Sequence, residues 1–230
     1  MYDSEEEQLE ALKRWWKENG SSLISGILIV VVAWFAFGQF QQSRQNSSAS
    51  ASILYDQISQ LALANVASGI SNEDMLAAQS WYSELKNEHD SSIYTRYAAL
   101  FMAGFHVQQQ QLDRAAAELQ WVLDNRGIGF LRKADQELFT VARLRLARVE
   151  LARGNTQAAL SLLQAEPVTE AFRPVAGELE GDIQVALGNR EAASTAYQGA
   201  LLALLELGAG NPGILQLKLQ DLGVDVASML

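Results

Sequence analysis

The chain has 230 residues, with 17 Lys and Arg against 27 Asp and Glu, for a formal net charge of −10. That balance excludes nucleic acid as a partner, because phosphates need a basic face, and it works against broad attraction to anionic lipid. With no Cys, disulfides, thiolate nucleophiles and zinc–thiolate sites are all removed; three prolines amid abundant Ala, Leu and Gln give an all-α class without alternating strands.

Residues 1–20 read as a cytoplasmic tail. The Ser4-to-Glu7 spacing is that of a capping box. Leu9, Leu12 and Trp16 then share one helical face, with Lys13, Arg14 and Lys17 on the other. This predicts a short amphipathic helix against the cytoplasmic leaflet, ended or bent by Gly20. The tail is either a docking or turnover signal or an orientation signal alone.

Residues 21–42 read as a transmembrane helix. No charged residue occurs between Glu18 and Arg44. The apolar core from Leu23 to Phe40 covers about 27 Å at ~1.5 Å per residue, close to the ~30 Å hydrocarbon layer. Trp15 and Trp16 precede it, and Trp34, Phe35, Phe37 and Phe40 crowd its far end, as suits the two interfaces. Lys13, Arg14 and Lys17 lie before the span, whereas Arg44 is the only basic residue after it until Lys86. The expected topology is therefore single-pass, with the N-terminus cytoplasmic and the C-terminal domain periplasmic, in a cell inner membrane surrounded by lipid. A cleaved signal peptide ending at Ala49-Ser50-Ala51 fits less well, because the apolar run is too long and the polar stretch Gln39–Ser48 intervenes.

Residues 43–90 are expected to form a helical linker and a first helical hairpin. Residues 91–230 are expected to form tetratricopeptide-like repeats with a C-terminal capping helix. The repeat is visible in Ala115, Ala159 and Ala193, each followed four residues later by Leu119, Leu163 or Tyr197. Twelve residues before each alanine stands a small residue: Ala103, Ala147 or Gly181. Between them lie the turns Gln108–Gln111, Gly154-Asn155 and Gly188-Asn189. Small residues at that spacing let two antiparallel helices approach closely, and the large residue fills the adjoining groove.

Ala159 to Ala193 spans 34 residues, the tetratricopeptide period, whereas Ala115 to Ala159 spans 44, which places an insertion near Asn125–Phe130. A weaker first unit runs from Ala49 to Asn87 with Ala78 and Tyr82 in register. Its counterpart to the small residue is Val66, so the packing of that hairpin stays open. Helices are predicted over roughly 49–67, 72–87, 91–107, 112–125, 131–153, 156–165, 170–187, 190–207 and 212–221, the last started by Asn211-Pro212.

Catalytic signals are absent from this reading. Gly208-Ala-Gly-Asn-Pro-Gly213 matches G-x-G-x-x-G literally, but a leucine-rich helix precedes it where the dinucleotide fingerprint needs a strand. His89 and His106 fall on different predicted hairpins without metal-ligand spacing. The expectation is a non-enzyme with no catalytic residues, no cofactor and no metal.

The first helices of stacked hairpins line a concave surface. On the face opposite the small residues, the candidate partner-binding groove comprises Tyr97, Leu100, Leu144, Arg148, Leu151, Glu178 and Asp182. The competing reading is that several of these pack against the neighbouring helix. Arg126, Arg132, Lys133, Arg143, Arg145, Arg148 and Arg153 form a basic band in an acidic protein, either a solvated face or a site for an acidic partner.

The layout resembles the ancillary SecYEG translocon subunit family over nearly the full chain. The resemblance is carried by ALKRWWKENG before the apolar span, then LDRAAAELQWVLD, LRLARVELARGN and GELEGDIQVALGNREAASTAYQGAL. It implies an inner-membrane protein with a periplasmic repeat domain. The implied partners are the SecYEG translocon, a membrane-anchored periplasmic prolyl-isomerase-like chaperone and unfolded or newly translocated proteins. No catalytic residues carry over. The alternative is a tetratricopeptide scaffold of another envelope assembly, in division, outer-membrane insertion or cytochrome maturation.

Overall fold

The computed structural model describes residues 34, 48–65, 68–126, 135–208 and 210–225. The chain divides into two units at Ser50–Ala51. The expected cytoplasmic tail and span lie outside the described residues except for Trp34, which is helical and exposed. Among the described residues no helix is long and apolar enough to cross a membrane.

The second unit is a stack of helical hairpins. Helix α1 comprises residues 51–64. It is followed by α2 (Asn72–Glu88), α3 (Ile93–Gln108), α4 (Leu112–Asp124), α5 (Gln136–Ala152) and α6 (Thr156–Gln164). A single 3-10 turn, Glu170–Phe172, leads into α7 (Arg173–Ala186), then α8 (Arg190–Glu206) and α9 (Gly213–Asp221). Each helix packs on the next. The first helices of successive hairpins also touch, α3 on α5 and α5 on α7.

Two boundaries differ from expectation. The helix predicted from 131 begins at Gln136 after Asp135, whose carboxylate accepts a hydrogen bond from Arg96 at 3.2 Å. The helix predicted from 170 opens with the 3-10 turn, because Pro174 suits only a first turn and fixes where the α-helix starts. Elsewhere local chemistry sets the ends. Ser71 accepts the Asp74 N–H and starts α2, and Ser92 accepts the Tyr94 N–H and starts α3. Asn211 accepts the Gly213 N–H ahead of α9.

The repeat spacing produces the close packing it implies. Ala103, Ala147, Ala115, Ala159 and Ala193 are buried. A Cβ added to Gly181 would stand 2.1 Å from the Tyr197 ring, so the glycine leaves the space that the large residue fills. The three hairpin turns share one backbone pattern. In each, a residue with positive φ (Gln110, Gly154 or Gly188) donates to the carbonyl three residues earlier. Its successor bonds five residues back, to His106, Glu150 or Gln184. Both bonds satisfy carbonyls that a helix end leaves open.

The first hairpin belongs to the same body. Ala51, Leu54 and Ile58 of α1 join Met75, Ala78, Tyr82 and Leu85 of α2 in the large buried cluster that runs through α3, α4 and one face of α5. The opposite face of α5 contributes Leu144 and Ala147 to a second cluster with α6 and α7, and a third small cluster joins α8 to α9. The described residues on either side of the insertion are bonded to the repeats. Arg96 donates to the Asn125 carbonyl and to Asp135, while Arg126 pairs with Glu166 at 2.8 Å over the Phe139 ring.

Candidate partner-binding groove

Helices α1, α3 and α5, with Leu112 and Leu119 of α4, border a groove of about 470 Å³. Its floor is apolar, with Leu100, Phe101 and Val107 from α3 and Ala62 from α1; Arg145 and Arg148 of α5 form one wall. An aromatic cluster lies beside it, with Tyr55 of α1 within 5.6–6.1 Å, centroid to centroid, of Tyr94, Tyr97 and Phe101. These rings are tilted against one another, an arrangement that adds attraction beyond their buried area.

Three of the seven sequence-derived candidates gather here. Leu100 and Arg148 line the groove, and Tyr97 is 41% exposed in the aromatic cluster. Leu100 itself is 7% exposed and contributes only an edge. The other four lie elsewhere. Leu144, 2% exposed, sits in the second buried cluster, and Leu151 packs against it. Glu178 and Asp182 on α7 both accept from Lys218 of α9, at 2.7 and 2.6 Å, and Asp182 also accepts from the Tyr197 hydroxyl at 2.7 Å.

That network tunes its members. Burial and the Asp182 bond push the Tyr197 hydroxyl pKa well up. Burial works against the Lys218 ammonium, yet its bonds to Asp182 and Glu178 hold its pKa above the ordinary value. A parallel arrangement joins α2 to α4, where Glu118 accepts from Tyr82 at 2.5 Å and from Lys86 at 3.0 Å.

The basic band resolves into internal and open members. Arg126 is paired, and Arg153 pairs with Asp113 and Glu150. Arg143 is buried and donates to the Leu162 and Leu163 carbonyls at 3.1 Å, closing the C-terminus of α6. Arg132 and Lys133 lie outside the described residues. Arg145 and Arg148 remain exposed, and neither forms an ion pair among the described residues. Arg145 donates to the Leu100 carbonyl at 3.3 Å, and burial, with Arg148 adding, lowers its pKa.

The groove-lining residues absent from the sequence-derived set include Phe101, Gly104 and Val107, together with Arg145, which was read only as part of the band. A signal existed. Gly104 stands in the interior of α3, where glycine costs ~1 kcal/mol relative to alanine and so calls for a reason. The histidines do not converge on a ligand. His106 is buried at the end of α3 with Nδ1 3.0 Å from the Gln111 side-chain oxygen, and burial lowers its pKa. No cluster of metal-ligating side chains occurs among the described residues. Gly208 and Gly210 follow α8 with positive φ, and Gly213 opens α9.

Stacked hairpins with small residues at the crossing points and an open groove along the first helices define a repeat scaffold. The chain belongs to the tetratricopeptide repeat-like domain family, which matches residues 13–224. Its relatives bear out the resemblance read from the sequence. It is 28% identical to the ancillary SecYEG translocon subunit of Escherichia coli (strain K12) over 97% of this chain and 99% of that protein. It is 29% identical to the Haemophilus influenzae protein of the same name over 85% of this chain and 88% of that one. The Neisseria gonorrhoeae counterpart is 27% identical over 95% and 97% of the two chains. No solved structure matches the chain.

Proposed function

We propose that this chain is a non-enzymatic ancillary subunit of the Sec translocon in the inner membrane. The observation that carries the reading is similarity along nearly the whole length to subunits of that name, on a fold built for protein contacts. Residues 21–42 form the single anchor, the N-terminus is cytoplasmic, and the repeat domain lies in the periplasm. There it brings together the translocon, a membrane-anchored prolyl-isomerase-like chaperone and newly translocated proteins. Confinement to one membrane raises the effective concentration of the partners, so individually weak contacts suffice. Tyr97, Leu100 and Arg148 bind partners at the groove. Leu144 and Leu151 support its α5 wall, and Glu178 and Asp182 hold the capping helix.

The test is affinity purification of the intact chain from native membranes in mild detergent, beside a chain whose residues 21–42 are replaced by an unrelated span. Enrichment of translocon subunits and a periplasmic chaperone with the intact chain is the expected result, and loss with the replaced span assigns the contact to the membrane. Recovery of division, outer-membrane insertion or cytochrome-maturation machinery without translocon subunits would overturn the reading.

A further inference from the structure

We propose that the groove between α1, α3 and α5 grips a protein segment in which a carboxylate side chain neighbours a large apolar one. This deepens the reading of the groove as a protein-binding surface and does not depend on which machinery the chain joins. The first ground is charge complementarity. Arg145 and Arg148 are adjacent cations in a protein of net charge −10, yet no carboxylate pairs with either among the described residues. Every other described member of the basic band is used internally, Arg126 and Arg153 in ion pairs and Arg143 on helix carbonyls. Two like charges beside an apolar floor have no counter-charge among the described residues, and an incoming carboxylate relieves their repulsion. Burial first and Arg148 second lower the pKa of Arg145.

The second ground is Gly104. Nothing lies within 4 Å of the Cβ an alanine would add there, so no helix crossing requires the glycine. It contrasts with Gly181, where the partner ring fills the space. At Gly104 the unfilled space is the groove itself. A helix that gives up side-chain volume and helical propensity at an exposed position keeps that volume open for something else.

The occupant's apolar half follows from the neighbours. Phe101 and Val107 offer an apolar floor, and Tyr97 extends it with a half-exposed ring. Aromatic and arginine side chains together are the residues that carry most binding energy at protein interfaces. Phe101 to Gln108 covers two helical turns, about 10 Å at ~1.5 Å per residue, which matches a short extended segment or one face of a helix. An anionic bilayer is the disfavoured occupant, because the overall charge repels it.

The test pans a random dodecapeptide phage library against the full chain in nanodiscs of neutral lipid, then measures affinities with the fluorescein-labelled selected peptide. The expected selection is enriched in Asp or Glu beside Phe, Tyr, Leu, Ile or Met. Binding should weaken at least tenfold in the Arg145→Gln/Arg148→Gln chain and fall as salt rises. Gly104→Ala should raise the melting temperature by about 1–4 °C, and Gly104→Leu should weaken binding at least tenfold. Selected peptides without acidic enrichment, no selection at all, affinity indifferent to the arginine pair, or displacement of the peptide by anionic lipid vesicles would each overturn the inference. Purifying the Arg145→Gln/Arg148→Gln chain from native membranes separates the two proposals. Translocon subunits retained by that variant, with a peptide affinity equal to that of the unsubstituted chain, leave the translocon reading standing and remove only this one.

Discussion

Tyr197 and Gly181 show how one residue pair sets the distance between helices. The ring lies where a Cβ on residue 181 would stand, 2.1 Å away, so Gly181→Ala cannot be absorbed by a small shift. Overpacking of this kind costs about 1–3 kcal/mol, and urea denaturation should show a loss of that size. Tyr197→Leu in the same chain should recover part of it, since the clash goes with the ring. Gln110 offers the opposite case. It holds φ 58°, where the equivalent turns carry Gly154 and Gly188. Gln110→Gly should therefore stabilise the chain by about 1 kcal/mol, read as an upward shift of the urea midpoint with unchanged slope. Both positions were legible in the sequence, because the twelve-residue spacing and the Gly-Asn turns recur along one chain. The fates of Glu178 and Asp182 were not. Lys218 reaches them from 40 and 36 residues away, a separation that helical periodicity does not encode.

At the scale of single helices, α6 and α9 are short and depend on side chains from elsewhere. Arg143 supplies two hydrogen bonds to the last carbonyls of α6 from within the buried face of α5. Arg143→Met keeps much of the volume but leaves those carbonyls unsatisfied. A loss of about 1–3 kcal/mol is expected, with faster amide exchange at the end of α6 as its local signature. Helix α9 is held by Lys218 against α7. Lys218 and Tyr197 both have folded-state pKa values above their ordinary 10.5 and 10.0. A raised value means the protonated form is favoured by folding, so this stability is complete below about pH 10 and declines as pH rises further. Alkaline titration followed by tyrosine absorbance should show α9 loosening above pH 10, and Lys218→Met should remove the lysine part of that dependence. Helix α5 explains why face selection misplaced Leu144 and Leu151. The helix is buried on two sides, so the side taken as open belongs to the second cluster. The part of α5 that reaches the groove carries Arg145, Arg148, Val149 and Ala152.

Across the repeat domain, burial is graded. The large cluster spans α1 to α5, whereas α8 and α9 share a small one. In a stack whose elements touch mainly their neighbours, stability is a sum of local terms, and the ends open first. Native-state hydrogen exchange should find α8 and α9 exchanging through partial opening while α3 and α4 exchange only on global unfolding. Equal protection throughout would show one cooperative block instead. The solenoid class and most helix boundaries followed from composition and spacing. The groove followed only in part, because its arginines were separable from the rest of the basic band only once their internal partners were placed.

The division of labour along α5 has an evolutionary consequence. One face of that helix completes the wall of the groove, and the other begins the packing that leads to the cap. Hairpins can thus be gained, lost or exchanged beyond α6 without altering a single groove residue, provided the last one still accepts α9. The length of the array can change while the lining of the groove stays the same.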